Sequence, residues 1–214
     1  MMKPNELLSL IDAALAAMIV DLQETLRDSL RSAVRALWTG NWTYNEFLVG
    51  MADAITHYFT VAWYEGAKEC GVDKEDLSDD ELAALEKEII NVLEYAPGYG
   101  EDILDNSKEN GGLLGPLMDR VEVWAARYDA VKIVAKSMAC ADKKFQWNLG
   151  PTENHCSSCS KLDGKVKRMS YWADNGILPR QAGVDYLECG GYRCQCTLDE
   201  TDAPLTRGKL PSLP

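Results

Sequence analysis

Histidine is scarce: His57 and His155 are the only two in 214 residues. Metal-dependent nuclease motifs that ring a scissile phosphate with several histidines cannot be assembled from such a pair. His57 lies inside a helical pattern beside Tyr58 and Phe59 and reads as an ordinary core or surface histidine. His155 directly precedes Cys156, and consecutive residues rarely reach one ion together. No glycine-rich phosphate loop, Gly-x-Ser-x-Gly elbow or His-Glu-x-x-His helix is present. Long apolar runs are also missing. The best one, Leu7 to Val20, covers 14 residues and contains Asp12, whereas a spanning helix needs about 20. Glu6 before it spoils the basic region of a signal peptide. The expectation is a soluble chain made in the cytoplasm. Basic charge is short as well, with 22 Lys and Arg against 34 Asp and Glu, a net −12. Residues 151–214 are neutral, with eight acidic and eight basic side chains, so the whole excess lies in 1–150. A nucleic-acid backbone is bound by cations that displace condensed counterions, and the first two thirds of the chain offers the opposite sign. A local patch of Lys143, Lys144, Lys165, Lys167, Arg168 and Arg193 remains, and reads more simply as a solvated hairpin face.

Cysteine is what the chain has. Five of its seven cysteines fall within 41 residues, as Cys156-Ser-Ser-Cys159 and then Cys189, Cys194 and Cys196. A Cys-x2-Cys turn brings two thiolates to one ion, and a second group after a loop of about 30 residues completes a tetrahedral sulfur site. Disulfides are the rival use of the same residues. The odd count and the missing secretory segment favour zinc, held by four of the five. With thiolates enough to fill every position, the expected site is structural: it lacks the vacancy that catalytic zinc keeps for water. Glu153, Asp163 and Glu188, close to the cysteines in sequence, read as solubility and turn residues. Cys70 and Cys140 stand alone in helical patterns.

Periodicity divides the chain. Apolar residues at helical spacing from Leu7 through Leu15, Leu22 and Leu30 to Leu37 predict one helix over 6–38, ended by Gly40. Thr43-Tyr-Asn-Glu46 and Ser78-Asp-Asp-Glu81 are capping boxes. They open helices over 44–69, with Phe47, Met51, Ile55, Tyr58 and Ala62 on one face, and over 79–95. Residues 96–115 read as a Gly- and Asn-rich loop holding one short helix near 101–106. Pro116 suits the first turn of a helix over 116–140, whose stripe is Leu117, Val121, Trp124, Tyr128, Val131, Ala135 and Met138. After residue 144 the texture becomes short apolar runs with prolines. Asp163-Gly164 predicts a hairpin, and a short helix is expected near 170–175. The fold class is a mostly α N-terminal helical bundle (1–143), a small α+β zinc-stapled C-terminal domain (144–200), and an extended tail (201–214).

The segment from Lys144-Phe-Gln-Trp147 through Gly150, His155, Cys156 and Cys159 to Leu162-Asp-Gly164 resembles the C-terminal domain of phage minor head proteins, the Mu F-type head morphogenesis family. That family has a tryptophan-bearing strand, a Cys-x2-Cys followed by leucine and glycine, a proline-containing loop, and a terminal His-Pro-Asn-Cys-Arg-Cys group. Pro179 lies in the corresponding loop, and Gly191-Tyr192-Arg193-Cys194-Gln195-Cys196 occupies the terminal position. The family histidine falls at Gly191, with Cys189 two residues earlier to supply a ligand. The resemblance covers 144–198 and is looser before it. It implies a structural virion protein acting at the portal vertex in head assembly or DNA delivery; the two ill-placed histidines, the sulfur-filled site and the acidic helical part lead separately to the expectation of no enzymatic activity. Its partners would be the portal protein or major capsid protein, with a homo-oligomer open and no membrane. The other reading is a zinc-dependent enzyme or nucleic-acid module built on the cysteine domain.

Overall fold

The computed structural model describes residues 22–213 apart from 182, 192 and 193. Five helices come first: α1 (Leu22–Trp38), α2 (Tyr44–Glu69), α3 (Asp79–Leu93), α4 (Ala96–Asp105) and α5 (Leu114–Ala139). A three-stranded antiparallel sheet of order β2-β1-β3 follows, built from β1 (Lys144–Asn148), β2 (Val166–Arg168) and β3 (Thr197–Glu200). Two short helices, α6 (Ser157–Leu162) and α7 (Met169–Asp174), flank β2. The mostly helical fold with a small α+β C-terminal part is the one the sequence predicts. The expected helical stretch over 6–21, with Leu15 in it, lies outside the described residues.

Local chemistry sets the helix ends. Thr43 and Ser78 each accept from the amide three residues on, and Glu46 and Glu81 return a carboxylate to the cap amide. Gly40, at φ 76, closes α1: its N–H donates to Leu37 O and that of Asn41 to Ala36 O, a glycine-capped end. Gly71 closes α2 in the same way, through Lys68 O and, from Val72, Ala67 O.

The bundle core runs along α1, α2 and α5. Leu26, Leu30, Phe47, Phe59, Trp63, Val121 and Val131 are all fully buried. Burying each side chain of this size contributes about 1.5–3 kcal/mol. On α2 the buried face is Phe47, Met51, Ile55, Phe59, Ala62 and Trp63, so Phe59 takes the place expected of Tyr58, which is only half-buried. The i, i+4 row simply continues past Ile55. Leu22 and Trp124 are likewise half-buried at the margin. The helices α2 and α5 run parallel and in close contact. A Cβ on Gly66 would sit 2.3 Å from Lys132 O, and Lys132 and Lys136 pair with Glu65 and Glu69 alongside.

Three expectations are corrected. The short helix expected near 101–106 begins instead at Ala96 and runs to Asp105: Pro97 sits in the first turn, where no N–H is needed, and Tyr99 and Ile103 bury one turn apart. Asp163-Gly164 is the end of α6, with Gly164 at φ 70, and not a hairpin turn; β2 pairs instead with β1, through Gln146 and Val166. Cys70 and Cys140 do not stand alone. They form a disulfide across the C-terminal ends of α2 and α5, with Cα atoms 5.4 Å apart. Two helices that start far apart in sequence end side by side, which periodicity cannot reveal.

A second core sits under the sheet. Trp147 and Trp172 meet at 5.8 Å between ring centroids, packed with Phe145, Leu162, Met169 and Leu198. Cys140 belongs to this cluster, and Val134 of α5 packs against both cores. Residues 201–213 are irregular and lie along the β2 side. Thr206 exchanges backbone and hydroxyl hydrogen bonds with Val166, the buried Lys167 donates to Thr206 O and Gly208 O, and Lys161 reaches Ser212 O.

Candidate metal centre

All five C-terminal cysteines converge, unpaired by disulfides. Their sulfurs form two groups of three, Cys156, Cys159 and Cys189, and Cys159, Cys194 and Cys196, each within 4.8 Å mutual distance and sharing Cys159. The Cys159–Cys194 separation is 4.0 Å. An ion with sulfurs at about 2.3 Å has tetrahedral edges of about 3.8 Å, so the spacing fits a thiolate-bound metal.

Each element delivers its sulfur for a local reason. Cys156 caps α6 and its Sγ accepts from the Cys159 amide at 3.4 Å, placing both on one turn. Glu188 ties the Cys189 segment to this turn: Ser157 N–H and Oγ–H donate to its carboxylate at 2.9 and 2.7 Å, and its own N–H donates to the buried Ser158 Oγ at 3.0 Å. Those Ser157 bonds, side chain first, hold the Glu188 carboxyl below its usual range. Cys194 and Cys196 come from the loop that enters β3. Gly150, just past β1, backs this loop so closely that a Cβ there would lie 2.3 Å from Gln195 O.

The Cys159 amide donates to the Cys156 sulfur, and backbone amides of Cys189, Gly191, Arg180, Cys196 and Gly150 near the cluster's sulfurs favour their charged form. Amide donors stabilise thiolate over thiol, the form a metal ligand requires. The sulfur contacts of Cys159 and then Cys196 draw Cys194 far below the ordinary thiol range, while Cys159, on the donating side, is pushed up.

Arg180 joins this centre to the bundle. It is the one non-glycine residue at positive φ among the described residues, at 63°, a region that costs energy for a side chain of its size. Its guanidinium pairs with Asp129 of α5 and donates to Cys196 O at 3.3 Å. Burial lowers its affinity for its proton, and the sulfur charge of Cys194 and Cys196 opposes that.

The remaining candidates fall elsewhere. His57 is exposed on α2, edge-on to Tyr58. His155 is half-buried with Nδ1 3.2 Å from Thr152 Oγ1, and Glu153 is exposed. Asp163 accepts from the Leu149 amide at 3.3 Å. Four cations of the basic patch are engaged within the fold: Lys143 pairs with Glu200, Lys144 caps the Asp202 and Ala203 carbonyls, Lys167 is buried against the tail, and Arg168 donates to Asp142 O. Arg193 lies outside the described residues. Sequence reasoning missed Arg180, Gly150 and the tying role of Glu188. Only Glu188 carried a signal, its place beside Cys189. Among the described residues no helix is long and apolar enough to cross a membrane. No family model, curated protein or solved structure matches this chain.

Proposed function

We propose that this protein is a structural component of a phage particle, a minor head protein bound at the portal vertex, whose C-terminal domain is stapled by zinc. The observation that carries the reading is the convergence of all five cysteine sulfurs within the stretch that resembles the Mu F-type domain. Zinc suits the donor set: a d10 ion takes thiolates at the observed spacing without redox chemistry. Thiolates donate charge to the ion and leave it a weak Lewis acid, and both histidines stand apart from the sulfurs. These features favour a scaffold over an enzyme.

The electrostatics favour protein partners. The acidic excess falls on the helical part, and four cations of the C-terminal patch, Lys143, Lys144, Lys167 and Arg168, are engaged within the fold. Contact with portal or capsid protein is therefore assigned to the helical region. The Cys70–Cys140 disulfide also suits a particle that leaves the reducing cytoplasm. Mass spectrometry of purified particles tests the reading. The chain should be present and should copurify with the portal complex. Its absence from particles would refute the assignment. So would zinc-dependent hydrolysis of DNA or peptide abolished by Glu153→Ala or His155→Ala.

A further inference from the structure

The sulfur cluster holds more than one ion's worth of ligands, and its layout has a definite centre. The Cys159 sulfur lies within 4.8 Å of Cys156 and Cys189 in one triad and of Cys194 and Cys196 in the other. Hence the two triads meet at one atom, the Cys159 sulfur. We infer that the centre binds two divalent d10 ions bridged by Cys159, one on Cys156 and Cys189, the other on Cys194 and Cys196.

Two features support this beyond the spacing. The first is charge. Four thiolates around a single divalent ion leave two negative charges, and a fifth cysteine unused, in a half-buried place, where uncompensated charge is costly. A second divalent ion takes up the fifth thiolate and leaves one negative charge on the centre. The second is connectivity. Each triad joins the α6 turn to a different segment, the turn that carries Glu188 and Cys189 in one case and the β3 entry in the other, so both ions tie distant parts of the chain. Cys159, buried at the middle, is the residue both ties need. Three sulfurs hold each ion and leave one position to solvent, so the paired centre differs from the closed four-thiolate site that the cysteine count alone suggests.

This inference rests on the reading that the thiolates bind a d10 metal, and ion counting separates the two. Full-length protein purified with zinc and weighed by native mass spectrometry should retain two zinc ions per chain. One ion would overturn the bridged pair and leave the zinc staple standing; none would overturn both. Replacement by Cd(II) should give two 113Cd resonances in the thiolate-rich range. Cys189→Ser should retain one ion, and Cys159→Ser should lose both at a chelator concentration that leaves wild type loaded. The helical circular dichroism signal checks that each variant remains folded. Two ions retained in Cys159→Ser, or both lost in Cys189→Ser, would refute the shared-sulfur arrangement.

Discussion

Gly150→Ala offers a sharp test of how the chain holds the metal centre. The new Cβ would stand 2.3 Å from Gln195 O, 2.6 Å from its carbonyl carbon and 2.6 Å from its Cβ. Ordinary carbon contacts lie at about 3.5–4.0 Å, so the two segments must part by roughly 1 Å. Two of these three contacts are backbone, and no side-chain rotation relieves them. Gln195 lies between Cys194 and Cys196, so its displacement carries both sulfurs, and metal–sulfur distances tolerate only about 0.2 Å. Changes to groups that orient ligands cost about 10–100-fold in metal affinity, or about 1.4–2.7 kcal/mol at 1.36 kcal/mol per decade. Competition against a chromophoric zinc chelator measures it directly. Gly115→Ala, where an added Cβ meets nothing within 4 Å, is the control and should leave affinity unchanged. Wild-type affinity in Gly150→Ala, within twofold, would refute the claim that this contact sets the position of the Cys194–Cys196 loop.

Breaking the disulfide by Cys70→Ser with Cys140→Ser, a loop separation of 70 residues, should lower unfolding stability by about 4 kcal/mol on the chain-entropy scale; urea denaturation that finds no loss would contradict it. At Gly66, helix propensity alone makes alanine stabilising by about 1 kcal/mol, but the contact with Lys132 O opposes it by about 1–3 kcal/mol of overpacking. Gly66→Ala should therefore lower the thermal midpoint, and a rise would show that α2 and α5 can separate freely. Burial would raise the Glu69 carboxyl, but Lys132 and Lys136 outweigh it and hold the group below its ordinary 4.5. Its stabilisation is present above that value and fades as pH falls through the depressed one. Glu69→Gln should flatten this acid limb in urea midpoints taken across the carboxylate range, and an unchanged limb would refute the pairing.

What the sequence determines by itself is local. The capping boxes at Thr43 and Ser78, the ends of α1 and α2 at Gly40 and Gly71, and the stripe of α5 each depend on residues within a turn or two, so spacing alone reveals them. The metal cysteines were legible for a related reason. Cys156 and Cys159 share one turn, and Cys194 and Cys196 share another, so only the meeting of two short motifs had to be inferred. Tertiary structure decided the rest. Asp163-Gly164 supports either a hairpin or a helix end, and the choice falls to β1, which takes β2 as its partner and leaves 157–162 free to coil. Tyr58 and Phe59 compete for one face, and the line of contact with α5 selects Phe59. Cys70 and Cys140 meet because parallel helices of matched length end at the same level. Arg180, Gly150 and Glu188 act through groups 16 to 51 residues away in sequence. No periodic pattern encodes such distances; they arise only once two cores have packed against the same helix, α5, and fixed the segments that face it.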